Sequence, residues 1–148
     1  MTKSQIESTV KYLIEKYDLS CLITDVKDRD FSTLIQNTKP GKLLNLCGKI
    51  SLMEMVFLLQ NTTLTISTDS GSMHISCALK KPTVGIFSSD LPERWIPSEY
   101  CNPVSIHADC APCTIDKNTC PNHWKCINTI PFEMITSKID FIMQHATF

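Results

Sequence analysis

The chain has 148 residues, 43% of them hydrophobic and 20% charged, with a formal net charge of −1. Those values describe one globular domain of ordinary size rather than a disordered chain, and they exclude the overall basic field that recruits nucleic acid or anionic lipid. The longest apolar runs are far too short to span a bilayer, and the opening Met1-Thr2-Lys3-Ser4-Gln5-Ile6-Glu7 has no apolar signal core, so the expected compartment is the cytoplasm.

Ser4-x-x-Glu7 is a capping-box pattern, and Ile6, Val10, Leu13, Ile14 and Tyr17 recur at helical spacing, which predicts an amphipathic helix over 5–17. Leu19 to Val26 reads as a buried strand, followed by a charged loop, Lys27-Asp28-Arg29-Asp30. A short helix over 31–36 is closed by the turn signal Asn37-Thr38-Lys39-Pro40-Gly41. Lys42 to Cys47 reads as a second strand, ending at Gly48. Ser51-x-x-Glu54 is a second capping box; Leu52, Met55, Val56, Leu58 and Leu59 after it predict a well-buried helix over 52–60. Thr63 to Ser67 reads as a strand, the region from Ser72 to about Lys80 as a helix that stops before Pro82, and Thr83 to Phe87 as a further strand.

From Ser88 to Tyr100 the chain reads as a loop rich in proline and charge, containing Arg94 and Trp95, with a last strand over 104–107. Residues 108–128 have almost no hydrophobic periodicity. Pro131 suits the first position of a terminal helix, whose Phe132, Ile135, Ile139, Ile142 and Met143 form an apolar stripe for packing rather than for a membrane. Helices and strands alternating with short connections predict an α/β fold, a parallel sheet with helices on both faces.

Two constellations carry chemistry. The first is Asp69-Ser70-Gly71-Ser72-Met73-His74, where a strand passes through a tight turn into a helix. Ser70 and Ser72 are good N-cap residues, and Gly71 either takes positive φ or admits a ligand to the backbone. The N–H groups near 71–73 carry the positive end of the helix dipole, so the turn suits an anion, phosphate above all. His74 on the first turn can donate to a phosphate oxygen, whereas Asp69 repels phosphate and better accepts from sugar hydroxyls. The alternative is that a serine merely caps the helix and His74 packs nearby.

The second is Cys110-x2-Cys113-x6-Cys120-x5-Cys126, four thiols within a 17-residue span, which can close a tetrahedral site around zinc or iron. Pro112 and Pro121 stiffen that loop, and His123 is a substitute ligand. Four cysteine ligands leave no open position, so such a metal is structural. The alternatives are two disulfides, disfavoured in a reducing compartment, or four free thiols. Cys21, Cys47 and Cys77 fall in predicted strands or on a helix and read as core residues. His107 and His145 have no evident partners.

Several motifs occur in order: Leu46-Cys47-Gly48-Lys49-x-Ser51-Leu52, then Thr68-Asp69-Ser70-Gly71-Ser72-Met73-His74-Ile75-Ser76-Cys77-Ala78, then Lys81-Pro82-Thr83-Val84-Gly85-Ile86-Phe87, then Glu93-Arg94-Trp95-Ile96-Pro97. The series resembles the C-terminal domain of the heptosyltransferases of glycosyltransferase family 9, bacterial enzymes that use ADP-heptose in lipopolysaccharide core assembly. The clustered cysteines and Ile130-Pro131-Phe132-Glu133 are similar to the tails of many members. The resemblance implies the C-terminal, Rossmann-like half of a GT-B fold. Residues 1–107 would be the nucleotide-sugar-binding domain, 108–128 the metal-binding segment, and 129–148 a helix packed on the domain.

Carried onto this chain, the resemblance implies that Ser70, Gly71 and His74 contact the diphosphate and Asp69 the heptose hydroxyls, with Gly48 and its neighbours near the adenine. Two departures stand out. The strand and glycine-containing loop that open a complete C-terminal half in that family, and supply further phosphate contacts, have no counterpart before the first helix. A ribose-binding Glu is not evident in Thr24-Asp25-Val26-Lys27-Asp28. The acceptor domain, with the family's presumed base, is not among these residues, so no catalytic residue is nominated. The implied partners are a nucleotide sugar, a saccharide acceptor, and a separate acceptor-domain chain or a second copy; the implied location is the cytoplasm, at the inner face of the inner membrane. The competing expectations are a truncated, inactive remnant acting as a binding module and a metal-dependent regulator.

Overall fold

The computed structural model describes residues 1–88, 92–110, 113, 120 and 122–145. The chain divides into two compact units, Lys3–Met55 and Val56–Phe148, the second joined by Met1–Thr2. No helix among the described residues is long and apolar enough to cross a membrane.

The first unit opens with α1 (Lys3–Tyr17), which turns Thr9, Val10 and Leu13 inward. It packs on β1 (Cys21–Ile23). A short helix α2 (Ser32–Gln36) leads to β2 (Leu43–Asn45), which pairs parallel with β1, Leu22 opposite Leu44. The core holds Val10, Leu13, Cys21, Ile23, Phe31, Leu34 and Cys47. Cys47 is fully enclosed, and its thiol points to the carbonyl of Ile23. Burial pushes the Cys21 thiol up to about 11, which is the behaviour of a small core residue rather than a nucleophile.

The boundary between the units falls inside α3 (Leu52–Gln60). The capping box forms as the sequence predicts. Glu54 accepts from the Ser51 N–H and hydroxyl, and Ser51 Oγ accepts from the Glu54 N–H. The expected burial does not follow. Only Leu59 is buried, while Leu52, Met53 and Phe57 are 62%, 73% and 65% exposed. Capping sets where a helix starts through local bonds, whereas burial depends on what packs against it.

The second unit carries the sheet β3 (Thr65–Thr68), β4 (Thr83–Ile86) and β5 (Cys101–Val104), all parallel in that order. The helix α4 (Gly71–Ala78) crosses from β3 to β4 and packs on both, and α7 (Phe132–His145) packs on β4 and β5. Every residue of β4 is buried, as expected of a central parallel strand covered on both faces. Gly85 is required there, because a Cβ would lie 2.8 Å from both Cys101 Sγ and Met73 Sδ. Ile135, Ile139 and Ile142 bury the predicted stripe of α7; its end at 146–148 lies outside the described residues.

Two expectations need correction in this unit. The last strand is at 101–104 rather than 104–107. Asn102 and Pro103 disguise it, and Pro103 is tolerated because β5 pairs with only β4 among the described strands. The stretch read as a loop contains a short helix, α5 (Pro92–Trp95), with Pro92 in the first position, where its missing N–H costs nothing. Residues 89–91 lie outside the description, as does the side chain of Trp95. A further short helix, α6 (Lys125–Asn128), lies inside the cysteine segment. The expected single parallel sheet is resolved as two parallel sheets, β1-β2 and β3-β4-β5.

Candidate functional site

The site is built where β3 runs out. The ladder continues one residue past the strand, with the Asp69 N–H donating to the Ile86 carbonyl at 3.1 Å, and this fixes the start of the turn beyond the carboxyl end of the sheet. Ligands of open α/β sheets bind in that position. Ser70 is extended (φ −162°, ψ 170°), and the helix begins at Gly71.

Ser70 does not cap with its side chain, contrary to the expectation from its residue type. Its hydroxyl donates instead to the Thr68 carbonyl and meets the hydroxyls of Ser67 and Ser72. Its carbonyl accepts the N–H groups of Met73 and His74. Among the described residues no partner accepts from the N–H groups of Gly71 and Ser72, so the helix dipole ends in two open donors.

Of the two roles offered for Gly71, the structure selects one. Its φ is not positive; the glycines with positive φ are Gly41 and Gly48. A Cβ at Gly71 would meet nothing within 4 Å. What glycine provides here is bare backbone facing open space. His74, one turn in, holds Nε2 3.4 Å from Asp69 Oδ1, with both side chains partly exposed. One short segment thus assembles an acceptor, two open N–H donors, two hydroxyls and an imidazole. Met73 behind it is fully buried and anchors the turn to the core.

Gly48 lies in the other unit. It takes φ +68°, donates its N–H to the Asp25 carbonyl, and approaches the Asp28 backbone so closely that a Cβ would sit 3.0 Å from its nitrogen. Asp25, in the loop after β1, accepts from the Lys27 N–H and from Arg29. Its carboxylate already holds that loop.

In the cysteine segment, the Trp124 N–H donates to Cys120 Sγ at 3.3 Å, and His123 and Trp124 are both left-handed. Burial first, and then Cys110, Cys120 and Cys113, push the Cys126 thiol up. The other three thiols are therefore within electrostatic reach of Cys126. Among the described residues, however, no group of three or more His, Cys, Asp or Glu is arranged to hold a metal ion. Pro112 and Pro121, expected to stiffen the loop, lie outside the described residues. His107 Nε2 stands 3.9 Å from Asp109 at an exposed position, and His145 meets the Phe141 carbonyl and ring, so neither joins a site.

Ser67 joins the site although no motif singles it out. Three serines within six positions across a strand end were the available signal; that they converge depends on the turn.

Residues 21–123 match the sequence profile of glycosyltransferase family 9 (heptosyltransferase). The chain is 34% identical over 101 residues to lipooligosaccharide heptosyltransferase 2 of Campylobacter jejuni subsp. jejuni serotype O:6, a match that covers 66% of this chain and 31% of that protein. It is 33% identical over 76 residues to the Haemophilus influenzae protein of the same name, covering 49% of this chain and 22% of that one. The chain thus spans about a third or less of the curated relatives it matches. Its fold is similar to that of the E. coli ADP-heptose lps heptosyltransferase II (TM-score 0.71, 16% identity, 95% of this chain and 40% of that one). It is also similar to a glycosyl transferase family 9 structure from Veillonella parvula (TM-score 0.76, 14% identity, 99% and 42%).

Proposed function

Because the chain belongs to glycosyltransferase family 9, the heptosyltransferases, we propose that it supplies the donor-binding half of such an enzyme. In this reading it binds ADP-heptose for transfer of the heptose to a saccharide acceptor of lipopolysaccharide or a related glycan. The observation that carries it is the β3–α4 turn, with open N–H groups at Gly71 and Ser72 and His74 beside Asp69. The diphosphate lies on the helix N-terminus against Ser70, Gly71 and His74, and Asp69 accepts from the heptose hydroxyls. As the sugar–phosphate bond breaks, charge grows on the leaving diphosphate, and preorganised donors at the turn stabilise it there. The base for the acceptor hydroxyl comes from the acceptor half, supplied by a separate chain or a second copy. The reaction takes place in the cytoplasm, at the inner face of the membrane.

Residues 1–107 form the nucleotide-sugar domain in this reading, and 129–148 the helix packed on it. Cys110, Cys113, Cys120 and Cys126 would hold a structural zinc or iron in residues 108–128 only after drawing together, since the described cysteines are not arranged around an ion. The spacing supports this, as does the Trp124 N–H directed at Cys120 Sγ, the kind of bond a metal-bound thiolate accepts.

Calorimetric titration with ADP and ADP-sugars tests the donor site: binding is expected, and its absence sinks the reading. Turnover of ADP-heptose with and without a candidate acceptor-half chain tests the enzyme. The exposed apolar side chains of α3 support a second reading, a non-catalytic binding module. It predicts ligand binding without turnover under either condition.

A further inference from the structure

The second unit holds two separate hydroxyl networks. At the mouth of α4, Ser67 Oγ lies 3.1 Å from Ser70 Oγ and 2.9 Å from Ser72 Oγ, and the latter two are 2.9 Å apart. Beneath it, Ser76 donates to Thr65 at 2.8 Å and accepts from Thr83 at 2.9 Å. Ser76 and Thr83 are fully enclosed, so the lower network can only hold α4 to β3 and β4.

The upper network is arranged differently. Ser67 is 8% exposed, while Ser70 and Ser72 are half-buried at the turn. Ser67 and Ser70 both donate to one acceptor, the Thr68 carbonyl, at 2.9 and 3.0 Å. Each hydroxyl has a single proton. With two protons on Thr68, the third, on Ser72, closes the triangle onto a neighbouring oxygen. The free site therefore spends every hydroxyl proton internally. An incoming anion draws the Ser70 hydroxyl away from Thr68 at least cost where the half-buried Thr68 carbonyl keeps another donor.

We propose that Ser67 is a positioning residue for the diphosphate: it holds the Thr68 carbonyl so that Ser70 can turn its hydroxyl to a phosphate oxygen, and it keeps Ser72 in register beside it. The inference rests on the diphosphate reading of the turn and adds to it a residue that touches no ligand.

The test is an NMR titration of the full chain with ADP and, separately, with adenosine, following the amide signals of Gly71, Ser72 and His74. Ser67→Ala is expected to weaken ADP about three- to tenfold, the scale of one hydrogen bond, and to leave adenosine affinity unchanged. Ser67→Cys, close in volume but a weak donor, shows the same loss and serves if the alanine variant does not fold. Ser76→Ala reverses the pattern, with a lower melting temperature and an unaltered ADP affinity in the folded protein. Wild-type ADP affinity in both Ser67 variants overturns the inference and leaves the donor site standing. Equal loss for adenosine and ADP also overturns it, since Ser67 then acts on the fold. Wild-type amides that do not respond to ADP overturn both readings together.

Discussion

Nε2 of His74 stands 3.4 Å from Oδ1 of Asp69, across the first turn of α4. The contact joins the one acidic group of the turn to its one imidazole, and it orients the ring where a bound anion would compete for the same nitrogen. Both side chains are partly exposed, so the pair itself contributes at most about 1 kcal/mol to stability.

Removing either partner separates binding from folding. His74→Ala should weaken ADP by about 1–3 kcal/mol, the scale of a charge-assisted hydrogen bond, with little change in melting temperature. Asp69→Asn removes a charge that repels phosphate, so ADP should bind at least as well, while the preference for an ADP-sugar over ADP falls. Calorimetry on the two variants with both ligands checks this, and an ADP-sugar preference unchanged in Asp69→Asn removes Asp69 from the sugar site.

Two glycines make opposite predictions. At Gly85 a methyl group would meet Cys101 Sγ and Met73 Sδ at 2.8 Å and Phe87 at 3.1 Å. Gly85→Ala should therefore destabilise the protein by about 1–3 kcal/mol through overpacking. At Gly71 the space is open and the position helical, so Gly71→Ala should be neutral or stabilising by up to about 1 kcal/mol. The same methyl should lower ADP affinity if phosphate lies on that backbone. Urea unfolding and ADP titration of the two variants give four readings, of which only the last depends on function.

Stability should fall on the alkaline side. Burial pushes the thiols of Cys21 and Cys101 up to about 11 and about 12, with neighbouring Cys77 adding to the second shift. An unfolded thiol ionises near about 8.5. Between that pH and the folded values, the unfolded chain loses protons that the folded chain keeps. The stabilisation is complete below the unfolded value and is lost as pH rises toward 11–12. Urea midpoints measured from pH 8 to 11 should decline, and Cys101→Ser should flatten the decline. In metal-free native protein at pH 8, exposed Cys110 should be alkylated well before Cys21 or Cys101.

If the cysteine segment holds a metal, the purified chain should carry about one zinc or iron ion, as a single four-cysteine site requires. Elemental analysis after expression without added metal reads it directly. Cys126→Ser should lower the metal content, and chelation should lower the melting temperature. A chain that is metal-free from both zinc- and iron-supplemented cultures leaves four ordinary thiols.

Local signals were legible from residue types alone. The capping box at Ser51 and Glu54 marks the start of α3, and Cys21, Cys47 and Cys77 are core residues, as their places in strands and a helix suggested. β5 was displaced because Pro103 reads as loop until its pairing with only one neighbour is known. The exposure of Leu52, Met53 and Phe57 could not be read from an apolar pattern, which reports hydrophobicity and not partners.

At the site, the ingredients are legible in the order of residues. Asp69, Ser70, Gly71 and His74 stand at the end of a β-branched run, in a spacing that sends a strand into a helix and leaves N–H groups unpaired. That logic is local, resting on backbone preferences and helix termini over a few residues. What those residues do with one another depends on contacts distant in the chain. Ser70 turns its hydroxyl to Thr68 and Ser67 rather than capping, Gly71 faces open space without positive φ, and His74 meets Asp69. The reason is that β3 is pinned to β4 and Met73 is locked in the core. These long-range contacts fix the direction in which every side chain of the turn leaves the backbone.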